Sequence, residues 1–177
     1  MIPIAWTTPR TWTAGETVTA AELNTHIRDN ENYLFGPTSW QARQITTGTS
    51  LPDSAWTAVV LNTTDVDTDS LGFSAGGVLI ATAGTYLVCG NCSIVIAGAA
   101  GTRRGAAVMK NGTIINGSQN LAGSSGTQSL QVPTGTVLVV CAVNDVLKLA
   151  GFQDTGAAVL TNVVATVQST LTVLRRL

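Results

Sequence analysis

Asn111 and Gly112 sit between two apolar runs in AVMKNGTII, the strongest short-range signal for a β-hairpin closed by a type I′ turn. The reason is steric. A type I′ turn needs positive φ at both central residues, which Asn tolerates and Gly adopts freely. The same punctuation recurs along most of the chain. Apolar or alternating runs occur at WTAVVL (56–61), GVLIA (77–81), TYLVCGNCSIVI (85–96), AAVMK (106–110), TIING (113–117), VLVVCAV (137–143), VLKLAGF (146–152) and STLTVLRRL (169–177). Gly, Asp, Asn and Ser separate them, and GTRRG (101–105), AGSSG (122–126) and VNDV (143–146) mark further connections. Roughly eight to ten short strands spaced this way predict a mainly β, antiparallel sandwich, and a jelly roll is a common way to close one.

Ahead of this pattern stands one segment with a different period, TVTAAELNTHIRDNENYLFGP (17–37). Thr19 and Glu22 have the spacing of a capping box, and Val18 and Leu23 fall where a hydrophobic staple places them. The helix is expected to start at Thr19 and to end at Gly36 and Pro37. Leu23, Ile27, Asn30 and Leu34 form a narrow 4-3-4 seam. A stripe that thin suits a coiled-coil-like contact, with Asn30 as a register device, and a helix lying on its own β-domain fits it equally. Upstream, IAWTTPRTWTAGE has neither helical nor strand periodicity and reads as an extended arm. Trp6 and Trp12 cannot be buried within such an arm, so they are expected to dock on the β-domain or on another protein. Aromatics and Arg are favoured anchors for that purpose. Two units follow: an arm plus helix over 1–38, and a β-domain over 39–177.

Composition bears on partners. Of 177 residues only 11% are charged while 45% are hydrophobic, and mean hydropathy is +0.30. A monomer with so little charge has little with which to cover its surface, which favours an oligomer that buries apolar faces. Nine basic and ten acidic residues are interspersed, giving a net charge of -1. No footprint for nucleic acid or an anionic membrane results. MIPIAWTTPR has no basic region followed by an apolar run, and the uncharged stretches are interrupted by Gly, Asn and Thr, so neither a secretory leader nor membrane insertion is expected.

Candidate chemistry is sparse. Cys89 and Cys92 form a C-x-x-C, but inside a strand an odd spacing sends the two side chains to opposite faces, so buried small residues are the better account than zinc or redox chemistry. The odd count with Cys141 argues for reduced thiols. His26 is the single histidine and lies on the helix, far along the chain from Cys89, Cys92, Cys141 and the Ser124–Ser125 loop, so no nucleophile–base pair can be assembled. Asp65, Asp67 and Asp69 are read as one short loop that imitates the start of a calcium-binding loop. An EF-hand wants Gly and Glu where this chain has Ser70 and Gly76, which leaves a calcium site borne by an oligomer against a solvated loop. Neither an enzyme nor a bound cofactor is expected.

Two resemblances attach to these residues. GTYLVCGNCSIV, RRGAAVMKNGTII, VLKLAGFQDTG and the terminal STLTVLRRL resemble the C1q/TNF-like jelly roll over most of residues 40–177, which implies a homotrimer closed on a buried last strand. PRTWTAGETVTAAELNTHIRDNENYL is similar to an N-terminal module of small virion proteins of tailed bacteriophages. That second likeness implies a virion structural protein, with Trp6, Pro9, Arg10 and Trp12 in the attachment module and the β-domain projecting as a head. The implied partners are further copies of the chain and a major capsid or tail protein. Two functional classes remain open: a capsid-surface decoration or head-fibre trimer, and a tail-associated receptor-binding or adhesion protein whose loops touch the host cell surface.

Overall fold

A computed structural model describes residues 7–35, 38–95, 103–123 and 129–176. Trp6, the expected helix stop at Gly36–Pro37 and the Ser124–Ser125 loop lie outside the described residues. After a short helical segment come β1 (Ser39–Arg43), β2 (Ser50–Leu51), β3 (Thr57–Ala58), β4 (Thr63–Asp67), β5 (Phe73–Ser74), β6 (Gly77–Leu79), β7 (Gly84–Ile94) and β8 (Arg103–Lys110). Then follow β9 (Thr113–Ile114), β10 (Asn120–Gly123), β11 (Leu130–Pro133), β12 (Val137–Cys141), β13 (Val146–Gln153), β14 (Val159–Leu160) and β15 (Thr170–Arg176).

The strands pair antiparallel into two main sheets. One runs β11–β7–β15–β1–β4 with β12 also on β7, and the other runs β10–β8–β13–β6–β5 with β3 on β13 and β9 on β8. A small third ladder joins β14 to β2. This is the expected antiparallel sandwich, and β15 shows why the sequence makes it. Leu171 and Val173 point inward and are buried, while Thr172 and Leu174 between and after them are half-buried and exposed. Each such inward side chain contributes about 1.5–3 kcal/mol of burial. Trp40, Tyr86, Ile94, Val108, Leu147 and Leu149 join them in one core between the sheets. Gly151 lets β13 come close to β7 there, since a Cβ on it would meet Cys92 Sγ at 2.8 Å.

The expected hairpin is present. Asn111 and Gly112 have φ of 51° and 83°, and Lys110 pairs with Thr113 across the turn. The turn is also tied to its neighbour: Asp145, in the β12–β13 connection, accepts from Asn111 Nδ2 at 2.7 Å and from Lys110 Nζ at 2.8 Å. Hydrogen bonds from Lys110, Asn111 and the Ala142 amide hold the Asp145 carboxyl at a pKa of about 2. Two local expectations are corrected. Asp65 and Asp67 lie on strand β4 rather than in a loop, because Thr63, Thr64 and Val66 between and before them are β-branched and pair with β1. Arg103 and Arg104, read as part of a connection, open strand β8.

Candidate functional site

The arm and the helix hold each other through Thr7, Arg10, Trp12, Glu22, His26 and Asn30. Thr19 caps the helix as expected: its hydroxyl accepts from the Glu22 amide at 3.2 Å, and the Glu22 carboxylate accepts from the Thr19 amide at 2.8 Å. Those bonds from Thr19, with Arg10 adding to them, hold the Glu22 carboxyl below the usual glutamate range. Arg10 bridges Glu22 and Glu16, the latter at 3.0 Å, and its guanidinium lies 4.7 Å from the Trp12 ring centre. Trp12 in turn meets His26 edge to face at 6.2 Å. Asn30 closes the clasp, accepting from Thr7 N at 2.9 Å and donating to Thr7 O at 2.8 Å. Trp12 thus docks on its own helix, not on the β-domain, and remains 38% exposed. Pro9 is exposed within the same arm.

The continuous seam is not formed. Residues Asn24–Arg28 make a π turn between α1 (Ala20–Leu23) and α2 (Asp29–Phe35), closed by the Asp29 amide donating to Asn24 O. A π turn carries one more residue than an α turn, so everything after it is rotated by about 100° relative to the regular helix. Asn30 therefore leaves the line of Leu23 and Ile27 and falls on that of Glu22, where it grips the arm and is buried. Leu34 shifts with it. Leu23 and Ile27 stay uncovered at 44% exposure each, and Leu34 at 45%. Periodicity alone could not show this, because the inserted turn is invisible in a count that assumes a uniform pitch.

The helix meets the head at Tyr33. Its ring lies 4.5 Å from the guanidinium carbon of Arg175 on β15, a side chain that is 5% exposed. Arg175 also lies beside the Tyr86 hydroxyl, whose phenol burial pushes up while the guanidinium pulls the other way. Its Nε and Nη1 are buried without a hydrogen-bond partner. A cation–π contact contributes ~0.5–2 kcal/mol. Burying unpaired N–H groups costs roughly 1–3 kcal/mol each, so the joint gains little or nothing from Arg175. The backbone beside it is firmly placed: Arg175 N donates to Thr38 O at 2.8 Å, and the Thr38 hydroxyl donates to Asp69.

The acidic and thiol candidates resolve into structural roles. Asp65 pairs with Arg43 at 2.8 Å, and Asp67 accepts from the Leu71 and Gly72 amides at 2.9 and 3.0 Å. With Asp69 on Thr38, the three carboxylates serve separate partners. Among the described residues no group of three His, Cys, Asp or Glu side chains is placed to hold a metal ion. Alternation in β7 turns Cys92 into the core and Cys89 to the outer face, as the odd spacing requires. All the cysteines are free, and burial pushes the Cys92 thiol up to about 12.

The feature that sequence reading did not locate is a row of leucines on the outer face of the β7 sheet. Leu138 stands opposite Leu87, and Leu87 opposite Leu174. They are 54%, 36% and 38% exposed, and Val140 beside them is 74% exposed. Together with Arg175 and Arg176 the leucines line a shallow depression of about 330 Å³. The residues come from three strands distant in the chain, so only the pairing register brings them together. On β15 itself Thr172 and Leu174 face outward, and Leu171 and Val173 belong to the core.

Solved structures share this architecture. Murine APRIL at pH 8.0 aligns with a TM-score of 0.54 and 12% identity, over 79% of this chain and 99% of that one. Eiger TNF from S. frugiperda aligns with a TM-score of 0.57 and 12% identity, over 80% and 93%. The head is a C1q/TNF-like antiparallel jelly roll, and at such identity the likeness is one of fold. No protein-family profile and no curated protein matches the sequence.

Proposed function

We propose that this chain is a structural protein of a tailed-bacteriophage virion: a homotrimeric capsid-surface decoration or head fibre, anchored through residues 1–38 and projecting its jelly roll outward. The observation that carries the assembly is the Leu138–Leu87–Leu174 row, a contiguous apolar strip that a second and third copy would cover. The attachment reading rests on the resemblance of PRTWTAGE…NTHIRDN to phage virion modules. It is supported by the finding that those residues fold onto one another as a unit that touches the head at Tyr33. Because Arg10, Glu22, His26 and Asn30 are spent on that clasp, the exposed apolar side chains left for the particle among the described residues are Trp12, Val18, Leu23, Ile27 and Leu34. No catalysis and no cofactor are assigned.

The second reading, a tail-borne adhesion protein, draws on the opposite sheet. There Trp56 and Phe152 lie 5.2 Å apart with Arg103 at 6.0 Å from the Phe152 ring, an aromatic ledge that would face away from the assembly axis. Co-sedimentation with particles tests attachment. Deleting residues 1–38 should leave a trimeric head that no longer binds, and Trp12→Ala should weaken binding by about 2 kcal/mol if the ring is a buried anchor there. A truncated head that decorates particles at full occupancy would move attachment to the jelly roll.

A further inference from the structure

We infer that Asn116 is a site of spontaneous chemical modification, its side-chain amide converting to aspartate and isoaspartate, while Asn111, also followed by glycine, is guarded by Asp145. The inference concerns two turns of one chain and rests on neither the proposed assembly nor the proposed attachment.

The chain has two Asn-Gly pairs, 111–112 and 116–117. Glycine has no Cβ, so its amide nitrogen is open to the preceding side chain. In the modification the Gly117 nitrogen gives its proton to base and bonds to Asn116 Cγ, the Cγ–Nδ2 bond breaks, and ammonia leaves. Water then opens the cyclic imide at either carbonyl, giving aspartate or an isoaspartate whose main chain runs through the former side chain. The two pairs are alike in sequence and unlike in structure. Asn111 is held at both ends of its amide: Nδ2 donates to Asp145 Oδ1 at 2.7 Å, and Oδ1 accepts from the Val146 amide at 2.8 Å. Its side chain must give up both bonds, one of them to a carboxylate, before it can react with Gly112. Asn116 stands exposed in the turn that Ser118 N closes on Ile115 O at 3.1 Å. Among the described residues nothing holds its side chain, and no acceptor takes the Gly117 amide. The surroundings would register the change. Ser118 is fully buried, its hydroxyl accepting from Val108 N at 3.0 Å and donating to Ile115 O at 2.7 Å. Gly117 O lies so close to Gly135 that a Cβ there would come within 2.2 Å of it. An isoaspartyl link lengthens the main chain between Ile115 and Ser118, where neither contact has room to give.

Peptide mapping by mass spectrometry of the full-length protein, held in mildly alkaline buffer, reads both sites in one molecule, because conversion replaces NH2 by OH and fragment ions separate the two positions. In the folded protein Asn116 should convert roughly tenfold or more faster than Asn111, as expected where two hydrogen bonds must break first. In denaturant the two rates should converge. Asp145→Ala should raise the Asn111 rate several-fold and leave Asn116 unchanged. Should that variant lack a cooperative unfolding transition, Asp145→Asn takes its place with a smaller rise expected. Asn116→Gln should abolish the fast site. Equal rates at the two positions in the folded wild type would overturn the inference, as would faster conversion at Asn111 or an Asn116 that converts only after unfolding. An unchanged Asn111 rate in the folded Asp145 variant would overturn the role given to Asp145.

Discussion

On the sheet built around β8 and β13, the outward side chains Ala107, Met109 and Ala150 are packed under Trp56, Ala58 and Ile114 from the same chain. On the sheet built around β7 and β15, the outward Leu87, Leu138, Leu174 and Val140 remain 36% to 74% exposed. Both sheets pay the same desolvation rule, yet only the first satisfies it within one chain. The first sheet has short strands β3 and β9 and the aromatic ledge to spare as a cover. Gly105 makes room for that ledge, since a Cβ there would lie 2.8 Å from the Trp56 ring and 2.6 Å from Leu121. The second has no such cover among the described residues, and its apolar outer face is the surface on which the proposed self-association rests.

The sharpest way to break this comparison is to place a charge on each face in turn. Leu87→Asp sets a carboxylate at the centre of the leucine row, and an unpaired charge buried between copies is strongly destabilising, so assembly should be lost and the mass should fall threefold in sedimentation. Leu121→Asp, on the other sheet at 46% exposure, should leave the mass unchanged. Equal effects would erase the distinction between the sheets. Trp56→Ala attacks the cover instead: opening Met109 and Ala150 should cost about 2–4 kcal/mol in unfolding experiments without changing the mass. A smaller effect separates the faces by chemistry. Cys89 lies on the bare face, so iodoacetamide should modify it more slowly in the wild type than in the Leu87→Asp variant. Cys92, with a thiol pKa of about 12, should stay unmodified in both until the chain unfolds. Neither reductant nor chelator should shift the melting temperature, since the thiols are neither bridged nor placed around a metal.

Much of the head was legible because its signals are local. The Asn111–Gly112 turn, the alternation in β15 and the opposite faces of Cys89 and Cys92 follow from the geometry of a few neighbouring residues. The capping box at Thr19 and Glu22 was legible for the same reason. What escaped depends on partners far along the chain or on irregular backbone. Strand β4 carries Asp65 and Asp67 and looks like a loop until β1 pairs with it. The π turn at Asn24–Arg28 leaves no mark on hydrophobic spacing, yet it moves Asn30 from a seam to the arm. The leucine row needs the β12–β7–β15 register, which no window of sequence contains. The arm's packing is hidden for a related reason: Arg10, Trp12, Glu22 and His26 form one stack against the helix, a combination that no single residue announces.

The uncovered face of the β7 sheet is either an interface between copies or a surface that a monomer tolerates. Sedimentation equilibrium of the full-length protein at micromolar concentration measures this directly. The leucine row predicts a single species of three times the chain mass, converted to one chain mass by Leu87→Asp. A wild-type protein that sediments as a stable, soluble monomer would contradict it, because the exposed strip on β12, β7 and β15 would then need no partner.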